Sequence, residues 1–277
     1  LGKTLMQVEW ANKVYQNEKG KLLILAPLAV STQTIREALK LDTNIHYFKS
    51  DGKLHVGINI ANYEMLHKIN TDEITGVVLD ESSILKSYTG KVRTTIIEEF
   101  KDTPYKLACT ATPAPNDHVE LGNHADFLDI MSGWEMLSLF FINDGDKANR
   151  WRLKGHAEGE FWKWVADWAV MITNPRDLGY EDSRYDLPPL NIKEIIIKSK
   201  ATEGFLIPTE AQTLSERRQA RRESLEDRCK TVAEIANSID RPFIAWCDLN
   251  DESKLLTELI EGAVEIKGSD SPEHKEQ

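Results

Sequence analysis

A chain of 277 residues, 41% hydrophobic and 29% charged, carries enough apolar material for one large core or two ordinary ones. Its formal net charge of −11 excludes a protein that coats nucleic acid with a uniformly basic surface, but not one with a local basic groove. No apolar run is long enough to cross a bilayer, no basic-then-apolar leader opens the chain, and the three cysteines, Cys109, Cys229 and Cys247, form no CxxC pair. A cytoplasmic protein in a reducing compartment, with no membrane, zinc or disulfide framework, is therefore expected.

The chain opens on "LGKT" and continues with Leu5, Val8, Ala11 and Tyr15 at helical spacing, which predicts a helix over residues 4–17. "LLILAPL", from Leu22 to Leu28, is a continuous apolar run closed by proline and reads as a buried strand. "STQTIREALK" begins on hydroxyl caps and reads as a helix. "LHVGINIANY" alternates like a strand, "ITGVVLD" is a second buried strand, "TTIIEEF" a short helix and "YKLACTAT" a third strand. Nearly all-apolar strands alternating with helices indicate a parallel sheet covered on both faces. From about residue 117 to 180 the pattern turns helical and rich in tryptophan. There Phe161, Trp164, Val165 and Trp168 share one helical face, which reads as a core stripe, with base stacking as the alternative.

"YDLPPLN" predicts a stiff, extended connection. After it come a strand, "IKEIIIK", a long charged helix from about Leu214 to Ser238, a strand, "PFIAWCD", a helix, "ESKLLTELI", and a short strand, "AVEIKG". The expected organisation is a first α/β domain over 1–185, with a helical extension, and the start of a second over 186–277. The closing "SPEHKEQ" reads as the opening turn of a helix, with Ser271 as cap and Pro272 at the first position. With Leu rather than Met at position 1, a fragment of a longer protein is expected.

In "VVLDESS" an apolar strand ends in two adjacent carboxylates, Asp80 and Glu81. Ligands of open parallel sheets collect at the carboxyl ends of strands. Two acids there suit magnesium-nucleotide chemistry, one holding the cation through its water shell and the next orienting or deprotonating water. A solvated helix start is the alternative, because acids favour helix N-termini. The opening Gly2, Lys3 and Thr4 match the last three residues of a phosphate loop, GxxxxGK[ST], in which backbone amides cradle phosphate, Lys meets its charge and the hydroxyl binds Mg²⁺. "TATPAPN" follows the third strand and sets the hydroxyls of Thr110 and Thr112 beside the same crevice, unless it is simply a Thr/Pro turn. The order GKT, DE, TAT along one α/β domain is the specific feature.

Other clusters are less specific. Arg217, Arg218, Arg221, Arg222 and Arg228 lie among acids on a helix, as a solvated face with ion pairs or as a local phosphate-binding patch. His118 and His124 lack the spacing of a helical metal pair, and no cysteine joins them.

These residues resemble the superfamily 2 helicases and translocases of DEAD/DEAH type, and most closely the Swi/Snf-like branch found in phages and prophages. The likeness covers nearly the whole chain. "LGKT" matches the end of motif I, "LLILAPLAVSTQTIREA" resembles motif Ia, "INIANYEML" the following "TYE" segment, "VVLDESSILKS" motif II and "KLACTATPAPN" motif III, with Asn116 at its end. "DLPPL" is similar to the start of the second lobe, and "PFIAWCDLNDESKLLTEL" with "VEIKGSDSPE" to motif IV and its sequel.

The resemblance implies a P-loop NTPase of two RecA-like lobes with parallel sheets, the second incomplete, with ATP between them and DNA across both; RNA is the alternative. It implies Gly2, Lys3 and Thr4 on the phosphates, Thr4 and Asp80 on Mg²⁺, Glu81 activating water, and Thr110 and Thr112 coupling hydrolysis to lobe movement. It also implies Pro27, Ser31, Thr32 and Thr34 on the nucleic-acid backbone. The chain departs from the pattern at Ser83, where the family often has His, although Lys86 matches the family's lysine. The loop before Gly2 and motifs V and VI with their arginine fingers are also missing. Such a finger is worth roughly 10³ to 10⁵ in rate, so this polypeptide alone is expected to be nearly inactive. The expected activity of the parent is ATP-driven movement on DNA. An RNA-dependent helicase and a P-loop clamp that binds without turnover are the rivals.

Overall fold

The computed structural model describes residues 2–49, 52–86, 90–143, 151–181, 183–197, 213–270 and 274. The chain divides into two compact units, residues 1–186 and 187–277.

In the first unit, strands β1 (Lys21–Ala26), β2 (Ile45–Tyr47), β3 (Gly57–Asn62), β4 (Ile74–Asp80) and β5 (Tyr105–Cys109) form one parallel sheet in the order β2-β3-β1-β4-β5. The period of two along each strand sorts its side chains between two cores. Leu23 and Leu25 of β1 join Val77 and Leu79 of β4 on one face, with Ile96 of helix α3 (Lys91–Glu99), Phe100 just beyond it, and Phe127 of α4 (Leu121–Phe127). Leu22, Ile24 and Val78 face the other way, against Val8, Ala11 and Val14 of α1 (Lys3–Glu18) and Ala38 of α2 (Ser31–Leu39). The continuous apolar runs are thus explained: both faces are covered. The core edge of α1 is Val8, Ala11 and Val14, whereas Leu5, expected on that face, is exposed. The edge strand β2 was not expected, because a three-residue strand that runs from buried Ile45 to exposed Tyr47 leaves no pattern to count.

From β1 the chain leaves toward β2 and β3, and from β4 it leaves toward β5. Connections departing to opposite sides of two neighbouring strands open a crevice at their carboxyl ends. Asp80, the last residue of β4, stands at that crevice.

The rest of the first unit is α5 (Gly133–Phe140), β6 (Phe141–Asn143), β7 (Trp151–Leu153) and α6 (Glu158–Trp168). The sequence predicts helix alone here; the structure instead inserts β6 and β7 as an antiparallel pair. Phe141 is buried from that pair into a core of its own, so its apolar character continues the helical pattern of α5 and hides the change of element. Phe161 is fully buried, with Phe140, Phe141 and Trp164 rings at 5.4, 5.5 and 5.8 Å between centroids. The aromatic stripe of α6 is therefore packing surface, and burial of these large rings holds the subdomain together.

The second unit contains α7 (Leu214–Glu223), α8 (Leu225–Asn237) and α9 (Asn250–Leu259), the last two joined by a small core of Cys229, Ala233 and Leu256. The single helix expected over 214–238 is broken at Ser224, whose hydroxyl donates to the Ala220 carbonyl at 2.8 Å, and whose ψ of 3° departs from helix. The strands expected in "IKEIIIK", "PFIAWCD" and "AVEIKG" do not form among the described residues. Ile192 is 85% and Trp246 94% exposed. A strand exists only when a neighbour accepts its hydrogen bonds, and an apolar run records a tendency to be buried, not the presence of that neighbour. The helix expected at Ser271 and Pro272 lies outside the described residues. No helix among the described residues is long and apolar enough to cross a membrane.

Leu79 is fully buried in the central strand that carries the acids. Leu79→Ala should cost about 2–5 kcal/mol of stability, read from urea unfolding curves. A loss under about 1 kcal/mol would contradict a central, close-packed β4.

Candidate active site

Asp80 is only 4% exposed, and a buried carboxylate is tolerated only with hydrogen-bonding and charged partners. Its Oδ1 accepts from Gln7 Nε2 at 2.7 Å and from the backbone N–H of Glu81 at 3.1 Å. Lys3 Nζ lies 4.0 Å from the same oxygen. The Asp80 carbonyl accepts from the Tyr63 hydroxyl at 2.6 Å. Immediately after the strand, Glu81 turns into the left-handed region at φ 51°, uncommon for a residue with a side chain. Its half-exposed carboxylate accepts from Lys3 Nζ. Lys3, Asp80 and Glu81, 77 or more positions apart across the motif pair, thus meet in one cluster.

Helix α1 delivers Lys3. Gly2 precedes it at φ 64° and ψ 17°, a left-handed conformation that glycine adopts without cost, and no side chain caps the helix. The first intrahelical bond runs from Met6 N–H to the Gly2 carbonyl, so the amides before it have no helical acceptor and, with the helix dipole, favour an anion. Thr4 is half-buried on the same turn. Gln7, one turn on from Lys3, is fully buried over Asp80.

This donor set fits a magnesium nucleotide. An ammonium, free helix-start amides and one hydroxyl suit phosphate oxygens, and Asp80 has Oδ1 engaged while Oδ2 remains for a hydrated cation. Among the described residues no group of three or more His, Cys, Asp or Glu side chains is arranged to hold a metal. A magnesium ion, which keeps several waters and takes phosphate oxygens, needs only one or two protein ligands.

On the neighbouring strand, the register pairs Asp80 with Cys109, and Thr110 is the first residue beyond that pair. The Thr112 N–H donates to Thr110 Oγ1 at 3.1 Å, closing a turn with Thr110 half-buried and Thr112 exposed. Burial pushes the Cys109 thiol up to about 11, so it is a neutral wall of the site and no nucleophile.

Of the residues expected on nucleic acid, Thr32 is exposed and Pro27 half-buried. Ser31 and Thr34 are turned inward. Each is about 1% exposed; the Ser31 hydroxyl donates to Asn62 Oδ1 at 3.0 Å and the Thr34 hydroxyl to the Val30 carbonyl at 3.1 Å. Their hydroxyls hold the turn instead of facing solvent. In the second unit, Arg221 pairs with Asp248, and Arg228 lies 2.5 Å from Glu252, so these two arginines brace their own fold.

Sequence reasoning missed Gln7, Tyr63 and His124. Gln7 had a signal, one helical turn beyond Lys3, but His124 had none pointing to its actual partner. On α4, His124 is buried with Nε2 at 3.1 Å from the Ser82 hydroxyl, directly behind the acid pair, while adjacent Asn123 donates to the Leu85 carbonyl at 2.8 Å. Together they fix the turn after Glu81 from below.

Neither a protein-family model nor a curated protein matches the chain. Among solved structures it is similar to the Sulfolobus solfataricus SWI2/SNF2 ATPase core in complex with dsDNA, with 23% identity and a TM-score of 0.48 over 61% of this chain and 37% of that one. It is also similar to the UvsW helicase from bacteriophage T4, with 16% identity and a TM-score of 0.35 over 47% of this chain and 48% of that one. The chain therefore spans less than half the length of either.

Burial holds the His124 pKa below its ordinary 6.5, against smaller raising effects of Glu120 and Ser82. The unfolded chain then binds the proton more readily than the folded one, so stability falls as pH drops below 6.5 toward the folded pKa and is fully present above 6.5. His124→Gln should flatten that slope in urea midpoints measured between about pH 5 and 8. An unchanged slope would show that His124 is not buried neutral.

Proposed function

We propose that this chain supplies the ATP-hydrolysing lobe of an ATP-dependent DNA helicase or translocase. The observation that carries the reading is the meeting of Lys3 with Asp80 and Glu81 at the carboxyl end of a parallel sheet. A buried acid tied through one oxygen, an exposed acid beside it and a lysine at a free helix start are the parts that phosphoryl transfer to water requires.

In this reading Lys3 and the first amides of α1 bind the β- and γ-phosphates. Thr4 and the free oxygen of Asp80 would hold Mg²⁺, which neutralises charge developing on the phosphate oxygens. Glu81 orients a water and accepts its proton as the water oxygen bonds to the γ-phosphorus. The bond to the bridging oxygen breaks, and ADP and phosphate result. Thr110, just beyond the strand that pairs with β4, and Thr112 would link the phosphate end to movement of a second lobe, to which residues 187–277 would contribute. DNA would run over the Pro27 to Thr32 surface, where Thr32 is exposed.

The test is ATP hydrolysis by the full-length protein with and without single-stranded DNA, duplex DNA or RNA. Hydrolysis stimulated by DNA, and lowered about 10²- to 10⁴-fold by Glu81→Gln, is expected, with Lys3→Ala equally damaging. Stimulation by RNA alone would make the protein an RNA-dependent helicase. Nucleotide binding without turnover would make it a clamp.

A further inference from the structure

The segment resembling "TYE" has no part in the chemistry above, yet it meets the acids directly. Tyr63 follows β3 and donates its hydroxyl to the Asp80 carbonyl at 2.6 Å. That carbonyl belongs to the Asp80–Glu81 peptide, whose N–H is bound in turn by Asp80 Oδ1 at 3.1 Å. One peptide is thus gripped at both ends, and its plane determines where Glu81, at φ 51°, projects its carboxylate. A left-handed residue with a side chain is strained and persists only where its surroundings enforce it. The Tyr63 hydroxyl holds the peptide on the N-terminal side of that residue.

The residue before Tyr63 belongs to a second network. Asn62, buried, accepts from the Ser31 hydroxyl at 3.0 Å and donates from Nδ2 to the Tyr47 hydroxyl at 3.3 Å. Ser31 opens α2 directly after the Pro27 to Val30 turn, and Tyr47 ends β2 with 42% of its surface exposed. The network reaches solvent at Tyr47, and through Ser31 it is next in the chain to exposed Thr32, on the surface proposed above for DNA. A single covalent step, from Asn62 to Tyr63, joins it to the peptide that aims Glu81.

We propose that Tyr63 is a positioning residue that carries occupancy of the DNA surface to Glu81, by holding or releasing the Asp80–Glu81 peptide. The inference rests on the ATPase reading above and adds to it the route by which DNA regulates the acid. Burial, with the charges of Asp80 and Glu81, raises the Tyr63 pKa well above its ordinary value. The hydroxyl therefore stays protonated and remains a donor. A coupling of this kind needs an element with two arrangements, and the relay requires the Asp80–Glu81 peptide to be that element. It is also reciprocal: DNA must change nucleotide affinity by the factor by which nucleotide changes DNA affinity.

The test compares full-length wild type with Tyr63→Phe, which keeps the ring and removes only the hydroxyl. Two quantities are read: the ratio of hydrolysis rates with and without saturating duplex DNA, and the change in Kd for a fluorescent ADP on adding that DNA. Both should fall toward one in the variant, by roughly 5- to 150-fold where wild-type coupling is that large, while unfolding midpoints stay close to wild type. A variant that keeps both quantities overturns the relay and leaves the ATPase reading standing. So does a variant whose basal and stimulated rates fall by one common factor, because Tyr63 would then only support the site. A wild-type protein whose hydrolysis no nucleic acid alters overturns the helicase reading itself, and the relay with it.

Discussion

Burying the carboxylate of Asp80 at the end of a central strand is the constraint around which the first unit is arranged. An ionised carboxylate removed from water is tolerated only when its oxygens are bonded and a positive charge lies near. Gln7 and Lys3, remote in sequence on α1, and the amide of the next residue, Glu81, meet that demand at the side chain, while Tyr63 secures the carbonyl of the same residue. At Glu81 the backbone turns into the left-handed region directly after the peptide that Asp80 Oδ1 and the Tyr63 hydroxyl hold.

That arrangement depends on the sheet having two covered faces. Val78 sends its side chain toward α1, and Val77 and Leu79 send theirs toward α3 and α4, so β4 is clamped from both sides just before the acids. The helix that supplies Lys3 and Gln7 is positioned by Val8, Ala11 and Val14 on the first of those faces. The helix that supplies His124 and Asn123 is positioned on the other, through Phe127. Packing and site geometry are thus joined at short range: the same strand carries the core residues and leads directly into the acid pair.

What the sequence reveals of this divides by range. Gly2, Lys3 and Thr4 before a helix, and Asp80 and Glu81 after an apolar strand, are local patterns, and local patterns are what periodicity and motif reading detect. The partners of Asp80 lie 73 positions away at Gln7 and 17 away at Tyr63, and Ser82 finds His124 across 42. No spacing rule reaches across a fold in that way. At Ser31 and Thr34 a hydroxyl at a helix start looks available in sequence whether or not an acceptor such as Asn62 Oδ1 or the Val30 carbonyl has already taken it. In residues 187–277 the apolar runs at Ile192 and Trp246 were legible, but strand formation there depends on neighbours that a run of residues does not specify.

Lys3 joins these levels. Its ammonium is shared between Glu81 and Asp80, and it stands at the helix start whose amides favour an anion. Under the ATPase reading a polyphosphate competes with Glu81 for that one charge, and whatever fraction of Lys3 it takes leaves the Glu81 carboxylate without its cation. The half-exposed Glu81 can turn toward water when that happens; the buried Asp80 cannot, because Gln7 and the Glu81 amide hold it. One acid is fixed and the other is able to move, which is the difference a cation ligand and a proton acceptor require of two neighbouring carboxylates.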